Sequence, residues 1–382
     1  MDKNKRIQFN KPYIIGKELE YIAQAVHENH HISGSGPFTH RCQEILEKSI
    51  GCFRALLTHS CTAALEIAAI LCDIQPGDEI VMPSFTFVST ANPFVLRGGI
   101  PVFVDIRPDT LNLDERLIAS AITDKTKAIV PVHYGGMPCA MDEIMDTAQK
   151  NNLLVVEDAA QTYLSRYKDR PLGSIGHLGC LSFHETKNII CGEGGALLVN
   201  DERFAHRAEI IWEKGTDRSR FLRGDIDKYS WQDIGSSYMP SDMIGAFLLA
   251  QLEEAEKIIA SRSKTFHHYY REFKDLEDRG LIRLPHHQDG STGNGHLFFI
   301  LARNKDDYRG LMKHLASSNI QAVPHYVPLH SSKAGLKFAK VSGSMKVTED
   351  VSQRLIRLPL YYGMGDDKVD RVIKAINGFY KV

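Results

Sequence analysis

Lys187 lies in the run SFHETKNIICGEGGALLVN, between a strand-like apolar stretch (GCLSF) and a glycine cluster. A lysine there is either a solvated turn residue or an amine placed for nucleophilic work. Three other segments also follow strand-like runs. In THSCTAALEIA, Ser60, Cys61 and Thr62 open a helix, where unpaired backbone N–H groups and the positive end of the helix dipole can hold an anion. Ser60 can equally be a plain helix cap. In PSFTFVSTAN, Phe85 and Phe87 either stack on a planar ligand or fill the core. In VVEDAAQ, the adjacent carboxylates Glu157 and Asp158 end a buried-looking strand. A carboxylate there is costly unless paired, and a cationic ring nitrogen would pair it. A helix-capping role fits it as well.

Taken together, the four segments are the parts needed to hold pyridoxal phosphate. They supply an anion-binding helix start, an aromatic ring, a strand-end aspartate and a lysine 29 residues beyond it. The lysine must lose its proton to attack the cofactor aldehyde. Desolvation and a nearby cation lower its pKa and allow this.

Elements with matching periodicity must position these residues. Helical spacing covers 16–29, 39–50 and 62–72. Continuous apolar runs (ALLT, EIVMP, PVFVDI, KAIVPV, LLVVED) alternate with helical segments, as expected for a parallel sheet covered by helices on both faces. CLSFH and GALLVN extend that sheet, with GEGG as the turn between them. From about Ser241 the pattern changes to one long helical stretch (242–278), a glycine-rich break (DGSTGNG), strands HLFFILAR and QAVPHY, and further helices. The reading is α/β, with a large domain over 1–250 and a smaller C-terminal α/β domain over 251–382. Ligands in such sheets bind beyond the carboxyl ends of the strands.

The 382-residue chain has 43% hydrophobic and 24% charged residues and a net charge of −1, so nothing favours nucleic acid or a membrane surface. No apolar run reaches the ~18–20 residues of a membrane span, and the basic start MDKNKRIQFNKP lacks the apolar core of a secretory signal. Seven cysteines without a CxxC, several inside apolar runs, suggest reduced thiols in a cytoplasmic protein. Seventeen histidines include no HExxH, and no metal is expected.

The ordered motifs SxTAALE (60–66), PSFTFVSTAN (83–92), VVEDAAQ (155–161), SFHETKN (182–188), GEGGALLVN (192–200) and HYVPLH (325–330) resemble those of the DegT/DnrJ-type sugar-nucleotide aminotransferases. The resemblance runs over nearly the whole chain and implies the fold-type I (aspartate aminotransferase-like) architecture. It implies that Lys187 binds pyridoxal 5'-phosphate and shuttles protons, that Asp158 partners the ring nitrogen and that Gln161 contacts the ring hydroxyl. It places Phe87 on the ring, and Ser60, Cys61, Thr62 and Ser182 around the phosphate. His325, Tyr326 and His330 fall in the family's sugar-nucleotide region, while His184 and Glu185 are either structural or substrate-facing. The family usually has glycine where Cys61 stands. Many members also have an asparagine where GSSY places Ser237, a residue that reaches the neighbouring subunit's cofactor phosphate. The resemblance therefore implies a homodimer with shared sites. The segments at 131–144, 213–221 and 227–238 resemble those of members that use L-glutamate to aminate C4 of dTDP-4-keto-6-deoxy-D-glucose for surface glycans such as enterobacterial common antigen or an O-antigen; the alternatives are an aminotransferase for a different 3-keto or 4-keto nucleotide sugar and a non-enzymatic regulator on the same fold.

Overall fold

The computed structural model describes residues 6–286 and 290–381. Residues 1–5 of the basic start and Asp289 of the glycine-rich break lie outside them.

An eight-stranded sheet runs, in spatial order, through Arg54–Thr58, Gly195–Val199, Leu178–Ser182, Leu154–Asp158, Thr126–Ile129, Glu79–Pro83, Ile100–Val104 and Lys340–Val341. Gly195–Val199 is antiparallel to both its neighbours, and the other pairings are parallel. The register pairs Thr58 and Ser182 with the same residue, Gly195. The carboxyl ends carrying Thr58, Pro83, Asp158 and Ser182 therefore open on one edge of the sheet.

Alternation along each strand sorts its residues between two faces. Leu56 and Val156 pack with the helix Cys61–Leu71, whereas Ala55 and Leu57 meet the helices Pro37–Ile50 and Asp242–Glu253. Val155 joins the cluster under Met141–Lys150. The same alternation separates the two strand-end carboxylates, so Asp158 shares a face with Val156 and Glu157 with Val155.

A second sheet orders Ile282–Arg283, Phe298–Ala302 and Leu355–Leu358 as antiparallel neighbours. Its core packs Phe298, Ile300, Ile356 and Leu358 with residues of the helices Ala255–Glu272, Lys305–Ser317 and Asp366–Tyr380. Between the two sheets, Phe85 and Tyr134 pack with Phe299, Leu301 and Leu355.

Three expectations change. The helical stretch 242–278 divides into Asp242–Glu253, Ala255–Glu272 and Lys274–Asp278, because Glu254 and Phe273 leave helical geometry. QAVPHY is not a strand. It touches the second sheet through one bridge, Val323 to Arg357, and Pro324 has no N–H to continue a ladder. GEGG does not alone join CLSFH to GALLVN. The connection spans 183–194 and carries Lys187 within it.

Candidate active site

The four strand ends, Arg262 and the segments around His296, His325 and Arg357 enclose a cavity of about 810 Å³. Ser60 caps the 11-residue helix Cys61–Leu71, with Oγ accepting the Ala63 N–H at 3.1 Å. The first-turn N–H groups of Cys61 and Thr62 have no helical acceptor. The Thr62 hydroxyl donates to Ser89 Oγ at 2.8 Å, and both residues line the cavity. Gly195 lies against this helix start, where a Cβ would run into the backbone of Ser60 and Cys61. Ser182 lines the adjoining wall.

Asp158 also lines the cavity. Its Oδ2 accepts the Thr90 hydroxyl at 2.7 Å and its Oδ1 the Ala160 N–H at 3.2 Å. Gln161 accepts the Gly135 N–H at 2.7 Å and donates to the Tyr326 hydroxyl at 3.0 Å. Both ends of its amide are thus fixed. Phe85 is buried in the core, whereas Phe87 lines the cavity and is 58% exposed. Of the two aromatic candidates, Phe87 is therefore the one presented to a ligand.

The Lys187 amine has no hydrogen-bond or ion-pair partner among the described residues, and it lines the cavity. Burial lowers its pKa below the ordinary lysine value. Cys61 and Asp158 oppose that shift, and the positive charge of Arg357 adds to it.

His325 stacks on Tyr326, with ring centroids 3.7 Å apart and planes at 22°. Its Nδ1 lies 2.6 Å from the hydroxyl of buried Tyr134. That hydroxyl has no other hydrogen-bond partner among the described residues, and which of the pair donates follows the His325 tautomer. Burial, Arg357 and Lys187 hold the His325 pKa well below the usual histidine range, which keeps the ring neutral.

His184 lines the cavity, with Nδ1 accepting the Thr186 N–H at 3.2 Å and Nε2 3.6 Å from Glu193 Oε1. Its neighbour Glu185 is exposed and is not brought to the cavity. His330 also stays outside. Its N–H donates to Ser84 Oγ at 3.0 Å, and the Ser84 hydroxyl bonds its Nδ1 at 2.7 Å, tying the turn after Tyr326 to a strand end. Ser237 is exposed, bridges Glu213 and does not line this chain's cavity.

Three cavity residues had no motif to reveal them. His296 donates from Nδ1 to Asn188 Oδ1 at 3.1 Å, because the Asn188 amide nitrogen is committed to the Asn294 carbonyl. Its Nε2 is then an acceptor. Burial, then Lys187, Arg262, His325 and Arg357, push its pKa well down. Among the described residues Arg262 donates only to the Gly295 and His296 carbonyls, at 3.2 and 2.6 Å, and burial pushes its pKa down to about 9. Arg357 donates to the Pro324 carbonyl at 3.1 and 2.9 Å and sits 4.9 Å over the Phe9 ring. Neither arginine has a carboxylate partner among the described residues. One signal was available: an arginine inside the apolar run LIRL, on the face of Leu355.

These residues fit pyridoxal phosphate. A helix start with hydroxyls beside it suits a dianion, Asp158 suits a ring cation, and an unpaired, desolvated amine suits an aldehyde. Among the described residues no cluster of three or more His, Cys, Asp or Glu could hold a metal ion, and no helix is long and apolar enough to cross a membrane.

This site on an α/β fold with a mostly parallel sheet defines a pyridoxal phosphate-dependent transaminase. The chain belongs to the DegT/DnrJ/EryC1/StrS aminotransferase family, whose model matches residues 12–377. It is 32% identical to the spore coat polysaccharide biosynthesis protein SpsC of Bacillus subtilis, over 99% of this chain and 98% of that one. It is 30% identical to GDP-perosamine synthase of Caulobacter vibrioides, over 97% and 98%. Among solved structures, S. venezuelae DesV aligns with a TM-score of 0.89 at 27% identity, covering 99% of each chain.

Proposed function

We propose that the protein transfers the amino group of L-glutamate to C4 of dTDP-4-keto-6-deoxy-D-glucose. The products are 2-oxoglutarate and dTDP-4-amino-4,6-dideoxy-D-galactose, a precursor for a surface glycan such as enterobacterial common antigen or an O-antigen. The observation that carries this reading is the Lys187 amine, unpaired among the described residues, which shares one large cavity with Asp158, two neutral histidines and two arginines that have no carboxylate partner among those residues. The names of SpsC and GDP-perosamine synthase point to saccharide chemistry in relatives that match nearly the whole chain.

When bound, pyridoxal phosphate supplies an electron sink that labilises the donor's Cα proton and carries nitrogen between the two substrates. The backbone at 61–62, with Ser60, Thr62 and Ser182, holds the phosphate. Phe87 covers the ring, Asp158 keeps its nitrogen protonated and Gln161 meets its hydroxyl. Lys187 takes the proton from glutamate Cα and, in the second half, delivers one to sugar C4. His325 offers a ring nitrogen and His296 a lone pair to sugar hydroxyls, with His184 and Tyr326 beside them. Arg262 and Arg357 attract the substrates' anionic groups. A homodimer places Ser237 at the partner's cofactor phosphate, and the protein works in the cytoplasm.

GDP-perosamine synthase among the relatives favours one second reading, a GDP-linked keto sugar as acceptor. Incubation with L-glutamate and either nucleotide sugar, with NMR of the product, tests both. The expected product from the dTDP sugar carries an axial C4 amine. An equatorial amine, or turnover of the GDP sugar alone, rejects the specific assignment.

A further inference from the structure

The cavity does not use Glu157. Both Glu157 and His133 are 0% exposed and neither lines it. His133 Nε2 lies 2.8 Å from Glu157 Oε2. Its Nδ1 accepts the Cys139 N–H at 3.1 Å, so Nε2 carries a proton that points to the carboxylate. Glu157 also accepts the Gly173 N–H at 2.9 Å and those of Ile175 and Gly176 at 2.6 Å each. Burial alone would raise the Glu157 pKa, but His133 and the Gly176 and Gly173 N–H groups outweigh burial and lower it.

Four donors lock one side chain, and the segments they lock carry the site. The His133 N–H donates to the Asp158 carbonyl at 3.3 Å, and the Asp158 N–H to the Pro131 carbonyl at 2.9 Å. The next residue, Tyr134, supplies the hydroxyl that fixes His325. Gly135 supplies the N–H that fixes Gln161. A shift of the 133–135 turn therefore reaches Asp158, Gln161 and His325 together.

We propose that His133 and Glu157 form a positioning pair that sets Asp158 and the 133–135 turn from behind the sheet, and so aligns the donor set facing the cofactor ring. Neither residue touches substrate or cofactor. Their effect passes through strand register and the turn, on the opposite face from the cavity.

Holoenzyme of His133→Leu, His133→Gln and wild type tests this. His133→Leu is expected to keep its far-ultraviolet circular dichroism, release pyridoxal phosphate about tenfold faster on dilution, and shift the visible circular dichroism of the bound cofactor. His133→Gln, which can still donate to Glu157, is expected to stay within about threefold of wild type. A merely structural pair would lower the melting temperature but leave cofactor release and the visible signal unchanged, and that result overturns the proposal. If His133→Leu does not fold, Glu157→Gln is read by the same two signals, with an unchanged signal again counting against the pair.

Discussion

Lys187 shows how one residue acquires chemistry from its surroundings. Its sequence neighbours resemble any polar turn, yet the fold half-buries it in the cavity wall and leaves its amine without an acceptor among the described residues. Desolvation disfavours the charged form, so the folded-state pKa lies below the unfolded value. The unfolded chain then binds more protons between the two values, and this residue's contribution to stability rises with pH through that window and is lost below it. The same shift leaves more neutral amine at a given pH. The rate at which cofactor-free protein captures pyridoxal phosphate is therefore expected to rise at a lower pH than capture by a free lysine side chain. A capture profile matching that of Nα-acetyl-lysine would show that burial does not tune this amine.

At the scale of elements, the site depends on close approach between the antiparallel strand Gly195–Val199 and the start of the helix Cys61–Leu71. A Cβ at Gly195 meets backbone atoms of Ser60 and Cys61, which cannot rotate away as a side-chain tip could. Gly195→Ala is expected to displace the helix start, cost about 1–3 kcal/mol of stability and weaken cofactor retention. Chemical denaturation and dialysis of the holoenzyme would read both, and unchanged values would show that the helix start tolerates displacement. Elements near the site were legible in sequence because motif and periodicity coincide there. Buried strands are apolar runs, and Ser60, Asp158 and Lys187 each sit where a run ends. The two carboxylates of VVEDAAQ were not separable by composition, since only strand alternation assigns Asp158 to the cavity and Glu157 to His133. His296, Arg262 and Arg357 escaped because their roles arise from packing between sequence-distant segments. QAVPHY misled because β-like composition outweighed the proline within it.

Across the whole molecule, the cavity draws its walls from both sheets, so neither half alone would complete it. Large apolar side chains are exposed at the cavity and on the surface beyond it. Phe87 is 58% exposed while lining the cavity, and Val88 beside it is 46% exposed. Elsewhere Leu96 is 74% and Trp231 81% exposed, Trp231 lying six residues before Ser237. Water contact at such large apolar side chains is unfavourable, and the proposed dimer would cover those that face its interface. Light scattering is expected to give twice the 42.9 kDa chain mass. If the proposed dimer buries Trp231, Trp231→Glu is expected to shift the mass towards a single chain and, by withdrawing the Ser237 segment from the neighbouring site that the proposal gives it, to speed loss of the cofactor. The two effects should appear together as protein concentration falls. A single-chain mass with full transaminase activity at micromolar concentration would reject the shared-site dimer, and the phosphate would then be held by the 60–62 segment and Ser182 of one chain alone.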